Sequence, residues 1–313
     1  MAIGLMWRRM GRHPGLMLGI LIVTLFGMIA LTAPWLAPSE DPKAPYVMTS
    51  DGFDLIPHPP GPDHPLGTLA RQYDVFYGVV WGTRVAFVIG LSITAVRMLI
   101  GVALGLLAGF YGGWIDAFLM RLTDAAMALP LMAMAMVAYA IGGVPQLGMT
   151  DSMVSGSGIE WTLAYALMAF GWMRYARLIR GNVLREREMA YVDSAVAVGV
   201  RKRRILLRHL FPNAMQGLFV LAASDIGAMV VWMATFRFLG LKTSFVALAN
   251  WGDMLNASRD WIIGMPSDAF AYWYTYLPPS LAIVLFSMGW SLIGDGLRDL
   301  LDPKYARANG FRQ

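Results

Sequence analysis

The sequence contains no cysteine, and only 14% of its 313 residues are charged. The absence of cysteine excludes disulfides, thiolate metal ligands and cysteine nucleophiles. Soluble proteins carry about 25% charged residues. The low charge, the 57% of hydrophobic residues and a mean hydropathy of +0.54 therefore indicate a chain that lies largely in a membrane. In such a chain the net charge of +5 reflects membrane orientation rather than binding to nucleic acid.

The sequence also lacks the motifs of common catalytic sites. It has no G-x-x-x-x-G-K-[ST] phosphate loop, no H-E-x-x-H and no G-x-S-x-G. Its four histidines are too scattered along the chain to suggest a metal site. We therefore expect that this chain binds no cofactor or metal, does not hydrolyse ATP and is not an enzyme.

Long apolar runs recur along the chain, and about 20 such residues cross a bilayer. They predict an all-α integral membrane protein with about six transmembrane helices. The predicted spans are 16–36, 85–110, 117–142, 160–180, 213–240 and 276–297. The first run is longer than the apolar part of a signal peptide, about 7–15 residues, so we interpret it as an uncleaved helix; a cleaved signal peptide is the alternative. The second run carries Gly101, Gly105 and Gly109, a spacing that permits close helix packing.

Basic residues mark one side of the membrane. They are concentrated at the N-terminus, between Arg174 and Arg208, and in the C-terminal tail. With six spans, these three segments lie on the same side of the membrane. The positive-inside rule predicts that this side is cytoplasmic. The predicted organisation is an N-terminal tail and first helix at 1–37, an irregular extracytoplasmic segment at 38–84, a core at 85–300 with a loop at 181–212, and a cytoplasmic tail at 301–313. The outer loop 241–275 carries Trp251, Trp261 and Trp273, which predict either membrane-interface anchors or contacts with an external partner.

The loop from Tyr191 to Pro212 is polar, strongly basic and interrupted by Gly199. An elaborate cytoplasmic loop in a protein that is otherwise mostly membrane suggests a docking element for a soluble partner. We expect residues 191–198 to form two helical turns. Gly199 is expected to end them, because glycine adopts left-handed backbone angles at little cost.

The spacing within this loop resembles the EAA signature of ATP-binding-cassette (ABC) importer permeases, E-A-A-x3-G-x9-I-x-L-P. Ala195, Gly199 and Pro212 match it at full spacing, whereas Asp193 and Ser194 replace the first two residues. The chain also departs from the signature at His209 and Phe211.

Other blocks resemble the dipeptide, oligopeptide and nickel branch of these permeases. The segment 172–184 resembles W-x-x-Y-A-R-L-x-R-x-x-V-L. Further similar blocks are HPLGT at 64–68, GFYGGWID at 109–116, MRxxD at 120–124, FLGL at 238–241, WGxML at 251–255 and GDGLRDxxDP at 294–303. The resemblance covers nearly the whole chain and is to the C-type inner-membrane permease subunit.

This resemblance implies a type I ABC importer permease with a cytoplasmic coupling helix, in the bacterial inner membrane with both termini cytoplasmic. It implies a heterodimer with a second permease, two ATPase subunits that carry ATP and Mg²⁺, an extracytoplasmic solute-binding protein and no nucleic-acid partner. The residues expected to couple to an ATPase are Tyr191, Asp193, Ser194, Ala195, Gly199 and Pro212. Peptides are the expected substrates. Nickel chelates, glutathione and oligosaccharides are alternatives, and a secondary transporter or a membrane-embedded enzyme belongs to a different class.

Two ionisable residues lie deep in predicted spans. Arg97 and Asp225 are each about 18 Å from a helix end at 1.5 Å per residue, close to the middle of a hydrocarbon core of about 30 Å. Such residues are costly unless they face a partner, water or the interior of the bundle. A structural pair, a role in the substrate pathway and a lipid-facing position all stay open. Met233, where the resembling family has Glu, is a third candidate for the substrate pathway.

Overall fold

The computed structural model describes residues 13–38, 55–70, 73–142, 161–241, 250–263 and 270–301. In chain order the helices are α1 (Pro14–Leu36), α2 (Val75–Tyr111), α3 (Gly113–Ala128), α4 (Leu131–Gly142), α5 (Trp161–Ala169), α6 (Met173–Arg187), α7 (Ala190–Ala197), α8 (Lys202–Ile205), α9 (Phe211–Ala214), α10 (Leu218–Phe238), α11 (Trp251–Ile263) and α12 (Trp273–Leu301). A π-helical stretch, Leu206–Leu210, joins α8 to α9. Strands β1 (Thr68–Leu69) and β2 (Tyr73–Asp74) form one antiparallel hairpin.

Four of these helices, α1, α2, α10 and α12, are long and apolar enough to cross a membrane. They correspond to the first, second, fifth and sixth predicted spans, so the prediction of an all-α membrane protein is confirmed. The third predicted span is bent by 91° between α3 and α4. Pro130 follows the bend, and Leu129 before it has extended backbone angles, because the proline ring disfavours a helical conformation in the preceding residue.

The fourth predicted span, 160–180, is not one helix. It divides into α5 and α6 at residues 170–172. Counting the bent α3–α4 pair as one crossing gives at most five candidate spans among the described residues. The total of six therefore stays a prediction.

The second span begins ten residues earlier than the sequence predicts, at Val75 rather than at residue 85. Asp74 is its N-cap: the carboxylate accepts a hydrogen bond of 3.0 Å from the Tyr77 amide and lies 2.8 Å from His64 Nδ1. A capping carboxylate satisfies an amide that the first helical turn leaves without a partner. The predicted irregular segment therefore ends at this cap, and residues 75–84 are helical.

Small residues bring α2 and α6 close together. A Cβ added to Gly105 would lie 2.6 Å from the Ala176 carbonyl oxygen, and one added to Gly109 would lie 2.8 Å from Val183 Cβ. Gly101 meets Tyr175 in the same way. The predicted close packing along this glycine stripe is thus confirmed, and its partner is α6.

An aromatic core lies at the junction of α1, α2, α11 and α12. Phe26 and Phe286 meet edge to face at 5.6 Å, and Trp251 lies 6.0 Å from Phe26 and 5.9 Å from Phe286. Trp251 is 2% exposed and donates a hydrogen bond of 3.1 Å to the Val79 carbonyl. Its predicted role as an exposed anchor or partner contact is therefore wrong, because tertiary packing places the ring inside the bundle.

The first turns of α12 are joined to α11 by a hydrogen bond. Pro279 has no N–H, so the Thr275 carbonyl lacks the donor that an uninterrupted helix would give it. The hydroxyl of Ser258 in α11 lies 2.9 Å from that oxygen and 2.8 Å from the Met254 carbonyl, so its single hydrogen serves these two acceptors. Ser258 and Thr275 are fully buried, and the bond therefore fixes α11 against the proline-containing part of α12.

The segment before α2 packs on the same end of α12. His58 and Thr68 exchange two hydrogen bonds of 2.9 Å, one through the Thr68 hydroxyl and one through its amide. The Tyr274 hydroxyl donates to the Pro57 carbonyl at 2.9 Å. The described residues between 55 and 74 thus form turns and one short hairpin held against α12.

A test of the glycine stripe is the pair of substitutions Gly105→Ala and Gly181→Ala, both within helices. At Gly105 the new methyl group would meet backbone of α6, and such overpacking costs about 1–3 kcal/mol. At Gly181 nothing lies within 4 Å, and alanine gains up to about 1 kcal/mol of helix propensity. We expect Gly105→Ala to lower the thermal unfolding midpoint of the detergent-solubilised protein and Gly181→Ala to leave it equal or higher. Equal midpoints for Gly105→Ala and the wild type would contradict close α2–α6 packing.

Candidate functional site

The carboxylate of Asp225 joins three helices inside the bundle. Asp225 lies in α10 and is 2% exposed. Its oxygens lie 3.5 Å from Arg97 Nη1 of α2 and 2.8 Å from Arg174 Nη2 of α6. The Tyr175 hydroxyl of α6 donates to it at 3.0 Å. The structure thus brings together Arg97 and Asp225, which lie 128 positions apart in the sequence.

Arg97 also holds the break between α5 and α6. Its Nε donates a hydrogen bond of 2.7 Å to the carbonyl of Leu167 in the last turn of α5, where helix carbonyls lack intrahelical donors. Gly171 has φ +103°, and a Cβ there would lie 2.6 Å from Arg97 Cζ. The break therefore requires glycine for two reasons, the backbone angle and the contact with the guanidinium group.

Burial excludes one of the three alternatives for Arg97 and Asp225, the lipid-facing position. Arg97 is 1% exposed and Asp225 is 2% exposed within this chain, so neither faces lipid. Their contact has the geometry of the structural pair. A role in the substrate pathway stays a prediction.

Sequence reasoning missed the other two members of the cluster. Arg174 is half-exposed and Tyr175 is fully buried. Their position in the sequence could have indicated a buried polar cluster, because both side chains lie within the predicted fourth span. Periodicity alone could not pair them with an aspartate about 50 residues away.

Met233 lies on α10 two turns beyond Asp225. It is 2% exposed and packs in an apolar cluster with Ile93 and Phe236. One turn further, Arg237 forms a 2.8 Å ion pair with Asp253 of α11. Arg237 is 4% exposed, so this ion pair lies inside the chain. The sequence did not predict the partner of Arg237.

Two further ion pairs join separate blocks of the sequence. Arg180 makes a two-bond contact with Asp116, at 2.5 and 2.6 Å, and Arg177 pairs with Asp124 at 2.5 Å. Both arginines lie in α6 and both aspartates lie in α3. Arg187 donates to the Gly109 carbonyl at 2.9 Å, near the end of α2. Helix α6 is therefore held by charged contacts to α2, α3 and α10.

The loop 181–212 is largely helical. Its first seven residues continue α6, and α7 follows at Ala190–Ala197, close to the helix predicted at residues 191–198. Gly199 has φ +80°. Its amide donates to the Val196 carbonyl at 2.9 Å and the Val200 amide donates to the Ala195 carbonyl at 3.0 Å, the paired bonds of a Schellman motif. The prediction that Gly199 ends this helix in a left-handed conformation is confirmed.

One side of α7 packs inward and the other is exposed. Val192 is 6% exposed and belongs to an apolar cluster of its own region. Ala195 is partly buried against this cluster. Val196 is 60% exposed and Val198 is 83% exposed. The remaining exposed residues of this outer surface are Asp193, Ser194, Ala197 and Gly199. Pro212 is exposed as well, at the start of the return to α10.

Tyr191 fixes α7 to its neighbours. Its hydroxyl donates to Glu186 of α6 at 2.7 Å and accepts from the Asn213 side chain of α9 at 3.1 Å. Burial, followed by the hydrogen bond to Glu186, raises the pKa of Tyr191 above its ordinary value, so the hydroxyl keeps its proton. Asn182 of α6 donates to the carbonyls of Ala214 and Gln216, both at 2.8 Å.

The described residues offer no site for a metal. They contain no group of three His, Cys, Asp or Glu side chains that could hold an ion. The arrangement consists of a charged cluster inside the bundle and a helix presented outside it.

Substitution of Asp225 tests the cluster. Asp225→Asn leaves Arg97 buried without a counter-charge, and breaking a buried pair in this way costs about 3–5 kcal/mol. The matched control is Arg177→Gln, which breaks a largely exposed pair worth about 1 kcal/mol or less. We expect the thermal unfolding midpoint in detergent to fall far more for Asp225→Asn than for the control. Similar midpoints for both variants would show that the cluster does not hold the bundle together.

Comparison with known proteins agrees with this geometry. The family described as "Binding-protein-dependent transport system inner membrane component" matches residues 101–307. The N-terminal transmembrane domain of oligopeptide transport permease C matches residues 3–57. The first match contains α6, α7 and α10, and therefore includes Asp225 and the whole of the loop 181–212.

Individual relatives match over almost the whole chain. The glutathione transport system permease protein of Pectobacterium atrosepticum is 34% identical over 95% of this chain and 90% of its own length. Dipeptide transport system permease proteins of Alkalihalophilus pseudofirmus and Bacillus subtilis are 32% and 30% identical, over 91% and 96% of this chain and 84% and 85% of their own lengths. The chain therefore belongs to the family of inner-membrane permease subunits of binding-protein-dependent ABC importers.

Proposed function

We propose that this chain is a pore subunit of a peptide importer. The observation that carries the proposal is its similarity, over more than nine-tenths of its length, to permeases named for dipeptide and glutathione transport. Glutathione is itself a small peptide, so both names point to short peptides as the substrate class. Nickel chelates and oligosaccharides are the alternatives within the family.

The exposed side of α7 is the proposed docking surface for an ATPase subunit. It combines Asp193 and Ser194 with the exposed apolar side chains of Val196 and Val198, and apolar side chains in water favour burial against a partner. We assign ATP and Mg²⁺ to the ATPase partners, since this sequence has no phosphate loop. The proposed assembly contains this chain, a second permease, two ATPase subunits and an extracytoplasmic solute-binding protein.

The contacts of α7 support a mechanical coupling. Tyr191 joins α7 to Glu186 at the end of α6, and Asn213 joins it to the segment that leads into α10. Displacement of α7 by an ATPase would thus act on α6 and α10 together. These two helices share the ion pair between Arg174 and Asp225, so the movement would reach the middle of the bundle.

A role of Arg97, Asp225 and Met233 in the substrate pathway requires movement. All three side chains are buried in this conformation. Tilting of α6 relative to α10 would separate Arg174 from Asp225 and open the cluster. The proposed pathway residues would then be accessible in only part of the transport cycle.

A secondary transporter and a membrane-embedded enzyme are the proposals from other classes. A secondary transporter needs no docking surface for an ATPase and depends on a coupling ion, whereas uptake by this chain should require ATP. No catalytic motif in the sequence supports the enzyme.

Gly199→Val tests the coupling. Nothing lies within 4 Å of a Cβ at Gly199, so the substitution acts through the backbone, and a β-branched residue strongly disfavours φ +80°. We expect the variant, purified with its partners in proteoliposomes, to lose most of its ATP-dependent uptake of labelled dipeptides and glutathione.

The matched control is Gly199→Asn, because asparagine accepts left-handed backbone angles. It should retain most of the uptake. Normal uptake by Gly199→Val would refute the coupling proposal. Wild-type uptake that favours nickel chelates or oligosaccharides over peptides would refute the substrate proposal.

The orientation is tested by single cysteines in this cysteine-free chain. Asp260 in α11 and Arg203 in α8 are both exposed, and the basic residues around Arg203 support a cytoplasmic position for it. In intact cells an impermeant thiol reagent should label Asp260→Cys and leave Arg203→Cys unlabelled until the membrane is opened. The reverse pattern would invert the proposed topology.

A further inference from the structure

A groove of about 900 Å³ with both charged and apolar lining residues opens between α6, α10 and α12. Its lining residues are Arg174, Leu178, Asn182, Arg185, Gln216, Gly217, Val220, Leu221, Ser224, Asp295 and Arg298. It lies at the end of the bundle that carries the loop 181–212. Its volume is that of a small-ligand site, and the ATPase-coupling surface on α7 does not include these residues.

Charge in this groove is mostly positive. Among the described lining residues, three arginines stand against one carboxylate, that of Asp295. Arg174 is engaged by Asp225, whereas Arg185 contacts the Gln216 side chain at 3.1 Å and Glu186 only at 3.9 Å. Arg298 is exposed and forms no ion pair or hydrogen bond with any residue that the structure describes. The groove therefore has a surplus of positive charge available to an anion.

Apolar side chains border the same groove. Leu178 of α6 and Val220 and Leu221 of α10 line it beside the arginines. α10 and α12 are both candidate membrane spans. A ligand that fits this surface has an anionic head and an apolar tail. None of the described residues that line the groove is aromatic, so they offer no stacking surface to a nucleotide base.

We propose that this groove binds an anionic phospholipid, with the lipid phosphate held by Arg185 and Arg298 and the acyl chains lying along Leu178, Val220 and Leu221. Basic pockets between membrane helices bind anionic headgroups in this way. The assignment to the cytoplasmic leaflet rests on the orientation in the proposed function. Arg174 lines the groove and also holds Asp225, so a bound lipid would stabilise the junction of α6 and α10.

Lipid binding to the full chain, purified with its partners and stripped of lipid in detergent, tests this inference. Phosphatidylglycerol, phosphatidylcholine and inorganic phosphate are added separately, and retained lipid is measured by native mass spectrometry. We expect retention of phosphatidylglycerol over phosphatidylcholine, about fivefold weaker binding in Arg298→Gln and about 30-fold weaker binding in Arg185→Gln/Arg298→Gln. Arg121→Gln is the matched control. Arg121 lies outside the groove, is also exposed, and forms no ion pair with any described residue.

Two outcomes would overturn the lipid assignment. Equal retention by the double variant and the wild type would place the lipid elsewhere, and displacement of phosphatidylglycerol by equimolar inorganic phosphate would make the ligand a soluble anion. The thermal unfolding midpoint of the wild type should rise with phosphatidylglycerol alone. Absence of that rise counts against the site even if a variant does not fold. Absence of peptide uptake by a wild-type assembly that retains phosphatidylglycerol would refute the proposed function and leave this site standing.

Discussion

A carboxylate enclosed by membrane helices must be neutralised by groups that the same helices provide. Asp225 meets this requirement with Arg97 from α2 and with Arg174 and Tyr175 from α6. Removing a charge from water costs several kcal/mol unless partners replace the solvent. The positions of α2, α6 and α10 are therefore linked by one requirement, the pairing of the Asp225 charge. Inside a membrane, contact between apolar surfaces alone gives little specificity to helix packing.

Helix α6 connects the Asp225 cluster with the end of the bundle that carries the loop 181–212. Its glycine-facing side packs on α2, while Arg177 and Arg180 pair with carboxylates of α3. Its last residues hold α7 through Glu186 and the return segment through Asn182. One continuous helix thus connects α7 to Asp225, as the proposed mechanical coupling requires.

Much of this architecture could be predicted because its causes are local. Apolar length is a property of a contiguous run, so four of the predicted spans are long apolar helices. The end of α7 at Gly199 depends on one residue and its immediate neighbours. The Asp74 cap was missed, although it is local too, because the residues after it mix apolar, aromatic and small side chains and do not form a continuous apolar run. The break at Gly171 was missed because the group that contacts it, the guanidinium of Arg97, lies on another helix.

The sequence by itself determined the membrane class, the helix at residues 190–197, the glycine stripe and the presence of charged residues within apolar segments, since each is encoded within a short segment. Only the tertiary structure decided which charges meet. Arg237 pairs with Asp253, and Trp251 lies inside the bundle rather than at its surface. Pairing between helices depends on their rotation and depth, and those follow from the simultaneous packing of all the helices rather than from any single segment.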